Sequence, residues 1–358
     1  MTPALLLLED GTWFDGKAFG ATGETTGHAV FYTGVVGYQE VLTSPSYRGT
    51  LPVLTYPIIG SYGVNPADNE SSAVQAAGVV IKEYSHTWSN FRATGALEPF
   101  LQDQGVVGIR GVDTRALTVH LREHGEQRGL IASGDDLDPD GLLEKLRATP
   151  SPFESDLVTD LPSAEAPPKP EEAKVRLVAL DLGATRSLLR HLALGGAAVE
   201  PLPAGTAAED ILARDADGVA VVGGPGDPRG LTDAAETVEA LLGEVPVLGI
   251  GLGCQVLALA LGCQIERLKA GHHGVNHPVK EPATGRCTIT TQHHSFVVSP
   301  EGLPEGVEVT HVNVNDGTVE GIRSGQASAV GVQFHPLADE MGRPNPVLAG
   351  FIEGRTET

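Results

Sequence analysis

The chain has 358 residues, enough for two domains of ordinary size, and 41% hydrophobic residues, enough to bury a core in each. Asp and Glu total 46 against 24 Lys and Arg, a formal net charge of −22. Such a surface repels phosphate backbones and anionic lipid, which argues against nucleic acid and membrane as partners.

In chain order, the N-terminal run Ala4 to Leu8 is apolar and is followed at once by Glu9 and Asp10. It is too short for a signal or a membrane span and has no basic flank, so it reads as a buried strand. The 3 cysteines, Cys254, Cys263 and Cys287, form no disulfide framework. They point to a reducing, cytoplasmic setting. The first half mixes strands (29–32, 51–56 and 78–81) with a helix over 113–123. The segment "DLPSAEAPPKPEEAK", 160–174, is rich in proline and charge and reads as an extended linker. The expected division is a first domain over 1–155, a linker over 156–174 and a second domain over 175–358.

The second domain alternates strands and helices. Val175 to Leu180 is a strand and Thr185 to Leu194 a helix. Val219 to Val222 is a strand and Thr232 to Leu242 a helix. "VPVLGI" is a strand, and Cys254 to Leu261 a helix. This order predicts an α/β domain with a central, mostly parallel sheet. Glycine-rich turns at 223–226 and 249–253 fall at the carboxyl ends of strands, where such sheets bind ligands. After Lys269 come short β-like runs and a closing helix in "PNPVLAGFIE".

"VLGIGLGCQVL", 247–257, reads in two ways. It has the small residues of a nucleophile elbow, with Gly251 at the tip, and it also reads as a tight strand–helix turn without chemistry. "GGPGDP", 223–228, offers backbone N–H groups to an oxyanion. His335 in "GVQFHPL" stands where a general base could stand, and an ordinary half-buried histidine is the other reading. "GHHGVNHPV" and "QHHSF" place five histidines near Cys287, but these stretches lack C-x-x-C and H-x-x-x-H spacing, so no metal is expected there.

Taken together, the blocks "LEDGTWFDG", "GYQEVLTSPSY", "TYPIIGSYGVN", "DTRALT", "GPGDP", "GHHGVNHPV", "VNDGTVEGI" and "FHP" resemble the glutamine-hydrolysing small subunit of carbamoyl-phosphate synthetase, nearly end to end. The resemblance implies a mixed β/α small-subunit domain followed by a class I glutamine amidotransferase domain. It implies glutamine hydrolysis, with ammonia passed through an internal tunnel to a large subunit. That larger chain, with ATP and a divalent metal, makes carbamoyl phosphate for arginine and pyrimidine synthesis. No cofactor is expected on this chain.

The site residues carry over unevenly. The family's nucleophilic cysteine falls on Gly251, the histidine after it on Cys254, and the glutamate of its H-P-E motif on Leu337. The assisting histidine is kept as His335. Ser46, Gly224, Gly226, Leu252, Gln255 and Phe296 match the family's glutamine contacts, whereas His293 and Ser295 replace an asparagine and a glycine. The expectation is a small subunit with impaired glutaminase. Two alternatives stand beside it: an active glutaminase using Cys254 with His335, and a non-catalytic binding or regulatory module. Asp339 or Glu340 could stand in for the missing glutamate.

Overall fold

The structure is a computed structural model and describes residues 2–338 and 341–354. It falls into two compact units. The first runs to Ser155 and also takes in Lys269–His273. The second holds Asp156–Leu268 and the chain from Gly274 onward. The return of 269–273 to the first unit has no sequence signal.

The first unit is a closed seven-stranded barrel. Its early strands are β1 (Pro3–Leu8), β2 (Trp13–Gly20), β3 (Glu24–Tyr32) and β4 (Thr50–Leu54). A small separate ribbon pairs β5 (Ile58–Ile59) with β7 (Glu83–Tyr84), and between them β6 (Gly78–Ile81) returns to the barrel. β8 (Val107–Arg110) and β9 (Gln127–Ser133) complete it, in the order β1-β2-β8-β6-β4-β3-β9. Four helices attend it: α1 (Tyr38–Thr43), α2 (Leu97–Asp103), α3 (Thr114–His124) and α4 (Pro139–Ala148).

The leucine run of β1 is explained by cover on both faces. Ala4, Leu6 and Leu8 join one core with Leu51 and Ile131. Leu5 and Leu7 join another with Leu142 and Leu146 of α4. Each fully buried leucine contributes about 1.5–3 kcal/mol, so neither face tolerates a polar residue.

The second unit is one nine-stranded sheet in the order β11-β10-β12-β13-β18-β17-β15-β14-β16. Its elements are β10 (Val175–Asp181), α5 (Arg186–Leu194), β11 (Ala197–Pro203), α6 (Ala208–Leu212), β12 (Gly218–Val222), α7 (Thr232–Leu241), β13 (Val247–Ile250), α8 (Leu252–Ala260), β14 (Ile265–Lys280), β15 (Cys287–Val298), β16 (Val307–Asn313), β17 (Val319–Ser324), β18 (Ala329–Val332) and α9 (Pro346–Ile352). From β11 to β18 neighbours pair in parallel, and β17 pairs antiparallel with β15, β16 and β18. Alternate residues serve opposite faces. Leu177 and Ala179 pack with α5 and α9, while Val178 and Leu180 pack with α7 and α8. Burial on both faces is why these strands read as continuous apolar runs.

Two expectations need correction. The 156–174 segment lacks regular structure but is not free: Val158 is buried in the core under α7, and Ala164 donates its N–H to Asp181 at 2.6 Å. The third helix of the second unit begins at Leu252, two residues earlier than expected, directly after Gly251. Among the described residues no helix is long and apolar enough to cross a membrane.

The returning segment 269–273 is held by Glu126. Its buried carboxylate accepts the Gly271 N–H at 2.7 Å and lies 3.2 Å from His273 Nε2. Its own N–H donates to the Lys269 carbonyl at 2.8 Å. Removing a buried acceptor leaves its donors desolvated and unmade. Glu126→Ala is therefore expected to lower unfolding free energy by about 2–4 kcal/mol, with a smaller loss for Glu126→Gln, which keeps one acceptor. Urea titration checks this; an alanine variant as stable as the parent chain would contradict it.

Candidate active site at the strand–helix turn

β13 ends at Ile250, Gly251 turns the chain, and α8 begins at Leu252. Gly251 sits at φ 61°, ψ −121° and donates its N–H to the Val332 carbonyl at 2.9 Å. Only glycine is at ease at such dihedrals. A β-carbon there would nevertheless have room, since its nearest neighbour would be the Gln333 carbonyl oxygen at 4.0 Å. The tip is buried, has room for a β-carbon and carries no side chain.

The neighbouring glycines are fixed by contact. A β-carbon on Gly253 would lie 1.9 Å from the Val221 carbonyl oxygen, and one on Gly249 would lie 2.6 Å from that of Gly253. The first turn of α8 is thus pressed onto β12 and β13. Leu252 and Gly253, at the helix start, have N–H groups with no carbonyl one turn back, and the helix dipole points its positive end at the turn.

The second glycine turn meets the first. Gly223, Gly224 and Gly226 all have positive φ. A β-carbon on Gly224 would fall 2.4 Å from Leu252 Cδ2 and 2.6 Å from the Leu182 carbonyl oxygen. The structure therefore brings Gly224, Leu252 and Gly251 together. Gly226 lies beside the Leu157 side chain.

His335 follows β18, and its N–H bonds the Thr291 carbonyl at 2.9 Å. Its ring is 8% exposed and meets the half-buried His293 ring edge-on at 4.9 Å between centroids. Burial, with the fields of His294 and His191, lowers its pKa to about 4, so the ring is a neutral imidazole near pH 7. Leu337 follows two residues on, half-buried, and its N–H bonds the His335 carbonyl at 2.9 Å. It brings no charge to the imidazole. With His335 and Phe334 it borders a cavity of 630 Å³. Asp339 and Glu340 lie outside the described residues.

Cys254 is not at the tip. It is 0% exposed, and a β-carbon on Gly331 would lie 2.8 Å from its Sγ, which places the sulfur between α8 and β18. Burial, with Glu320 and Cys263 adding to it, pushes its thiol far above the ordinary range. Gln255, 2% exposed, donates its amide to the Phe296 carbonyl at 2.8 Å and to Gln333 Oε1 at 3.1 Å. It pins α8 to β15 and to the strand leading to His335. Phe296 and Ser295 are buried on β15, and the Arg229 guanidinium sits 5.4 Å from the Phe296 ring centroid. Ser46 belongs to the first unit, half-buried in the short turn Pro45–Tyr47.

Sequence reasoning missed Gln333 and Arg229. Gln333 could be found only from the register that sets β13 beside β18. Arg229 has a weak signal in its place just after "GPGDP", where Asp227 grips it at 2.6 Å.

Residues 6–131 match the model of the carbamoyl-phosphate synthase small chain, CPSase domain, and residues 178–343 that of class-I glutamine amidotransferase. The chain is 45% identical over 345 residues to a carbamoyl phosphate synthase small chain of Akkermansia muciniphila, covering 94% of this chain and 92% of that one. It is 44% identical to one from Syntrophotalea carbinolica, over 98% of this chain and 95% of that one. A third, from Aquifex aeolicus, is 42% identical over 93% of each. Among solved structures, a glutamine amidotransferase from Thermotoga maritima is similar at TM-score 0.34 and 21% identity, over 46% of this chain and 76% of that one.

Two stability measurements check this geometry. Gly251→Ala should cost about 1–3 kcal/mol from backbone strain alone, and Gly253→Ala about 3 kcal/mol or more from the collision with β12. Equal effects, or none at Gly251, would contradict the reading. The lowered His335 pKa also sets an acid dependence. The unfolded chain takes up a proton near 6.5 and the folded chain only near about 4, so stability is lost as pH falls through that window. At pH 4 the folded parent should have lost about 3 kcal/mol through this group, a loss absent from His335→Gln.

Proposed function

The chain belongs to the carbamoyl-phosphate synthase small-chain family, and from that premise we propose that it is a small subunit whose amidotransferase elbow is folded but does not hydrolyse glutamine. The observation that carries this reading is Gly251: the turn has its strand, its helix start and its glycine neighbours, and no side-chain atom at the tip.

In the family's chemistry a cysteine thiolate attacks the glutamine amide, an imidazole moves the proton, and a glutamate orients the imidazole. Splitting hydrolysis through a covalent intermediate is what makes the amide reactive. Glycine cannot form that bond. Loss of a triad nucleophile costs about 10⁶ in rate in enzymes of this logic. Leu337 compounds the loss, because nothing at that position orients His335 or stabilises its cation.

What remains suits binding. The helix start at Leu252 and the turn at Gly224 offer N–H groups, and α8 is tied through Gln255 to Phe296, whose ring Arg229 approaches. We read these as a site that can hold glutamine without cleaving it. The synthetase would then take ammonia from solution, passing it to a large subunit that carries the ATP chemistry of carbamoyl phosphate formation, for arginine and pyrimidine synthesis. Cys254 does not rescue the reaction in this account. Its sulfur is buried between α8 and β18, and its thiolate is strongly disfavoured there.

The test is to purify the chain with its cognate large subunit, then compare nitrogen donors. Carbamoyl phosphate should form with ammonium and not with glutamine. Glutamine-dependent synthesis that is abolished by Cys254→Ser would overturn the reading in favour of Cys254, and failure to associate with the large subunit would favour a separate binding module. A β-carbon fits at position 251, so Gly251→Cys should fold and restore only a small fraction of glutaminase activity. Adding Leu337→Glu should raise it further, by roughly 10-fold or more.

A further inference from the structure

We propose that Asp10, His120 and His124 form a binding site for a borderline divalent transition-metal ion of the Zn²⁺ or Ni²⁺ class, stapling the β1–β2 turn to the end of α3. His120 and His124 are one turn apart on α3, so their side chains share a face. Their rings stack with centroids 4.4 Å apart and planes 23° apart. Asp10, from a turn 110 residues away in sequence, reaches His120 Nε2 with Oδ2 at 2.7 Å.

His124 and Asp10 each have an orienting partner of the kind metal ligands have. His124 Nδ1 lies 3.1 Å from the His120 carbonyl. A carbonyl only accepts, so Nδ1 carries the proton and Nε2 is the ring atom left to bind a metal. Asp10 Oδ1 accepts the Thr12 N–H at 2.9 Å, and Oδ2 accepts the Gln127 amide at 3.0 Å. Two imidazoles and a carboxylate favour zinc, nickel or copper over magnesium or calcium. The C-terminal end of α3 adds the negative pole of a helix, and Glu123 adds an exposed carboxylate on the same turn.

The three donors do not close on one point in the structure. His124 is exposed, and rotation about its side-chain bonds, which gives up the Nδ1 bond to the His120 carbonyl, carries Nε2 toward the other two. On binding, the ion takes the Nε2 position now held by a proton shared with Asp10. That proton leaves His120 for solvent, and the imidazole–carboxylate hydrogen bond becomes two metal–ligand bonds. The ion then bridges the β1–β2 turn, the last turn of α3 and, through Gln127, the start of β9. This site is independent of the elbow and of the proposed glutamine chemistry.

The experiment is titration of chelator-stripped full-length chain with zinc chloride by calorimetry, in parallel with thermal melting, for the parent, for Asp10→Asn and for His120→Ala/His124→Ala. The parent should bind one more zinc ion than the double variant and melt at higher temperature with zinc. Asp10→Asn should weaken that same site by at least 10-fold. Magnesium should produce no shift. Circular dichroism of the metal-free variants reports whether each is folded, since the residues changed are exposed or half-buried. Zinc stoichiometry equal in parent and double variant, or a parent melting temperature unmoved by zinc, overturns the proposal.

Discussion

The structure of the second unit depends on how closely α8 lies on the sheet. That approach is possible only because Gly249 and Gly253 carry no side chains: a single β-carbon on Gly253 would press into the Val221 carbonyl. With the helix drawn in this far, the chain can leave β13 only through a backbone reversal at Gly251, at dihedrals that strain any residue with a β-carbon. The three glycines of "GIGLG" therefore answer two different demands. Two make room, and the third turns. In an active elbow the third would be a strained cysteine held in place by the other two. Here the strain is relieved and the architecture around it is retained.

The remaining residues of the site are arranged around that reversal. The helix start aims N–H groups at it, and Gly224 packs against Leu252 from the neighbouring turn. Gln255 ties the same helix to Phe296 and Gln333, which leads the chain to His335. His335 is a buried imidazole that its surroundings keep neutral, and its ring meets that of His293. The nearest thiol, on Cys254, belongs to the packing between helix and sheet.

Much of this was legible in the sequence. The β/α alternation of the second half follows from apolar runs separated by helical periodicity, because those strands are covered on both faces. That positions 251 and 337 carry a glycine and a leucine, with no thiol and no carboxylate, could be read directly. The barrel of the first half could not be read, because closure depends on which distant strands pair: β1 meets β9 across more than a hundred residues, and no local pattern records that. The same reason hides the return of Lys269–His273 to the first unit, where Glu126 and Thr33 bond it. It also hides the histidine pair of α3. Attention falls on the histidine-rich stretches of the second half, whereas His120 and His124 gain meaning only once Asp10 is seen beside them. Cys254 marks the limit in the other direction. Its position in the first turn of a helix can be read from the sequence, whereas its complete burial cannot.

The central claim is that no atom of this chain forms an acyl bond with glutamine. It is tested most directly by incubating the purified full-length chain with a glutamine analogue bearing an electrophilic γ-carbon and measuring the intact mass, followed by peptide mapping. The account predicts an unmodified chain even when the analogue saturates the site. A single stoichiometric adduct on Cys254, or on any other residue of the second unit, would contradict it.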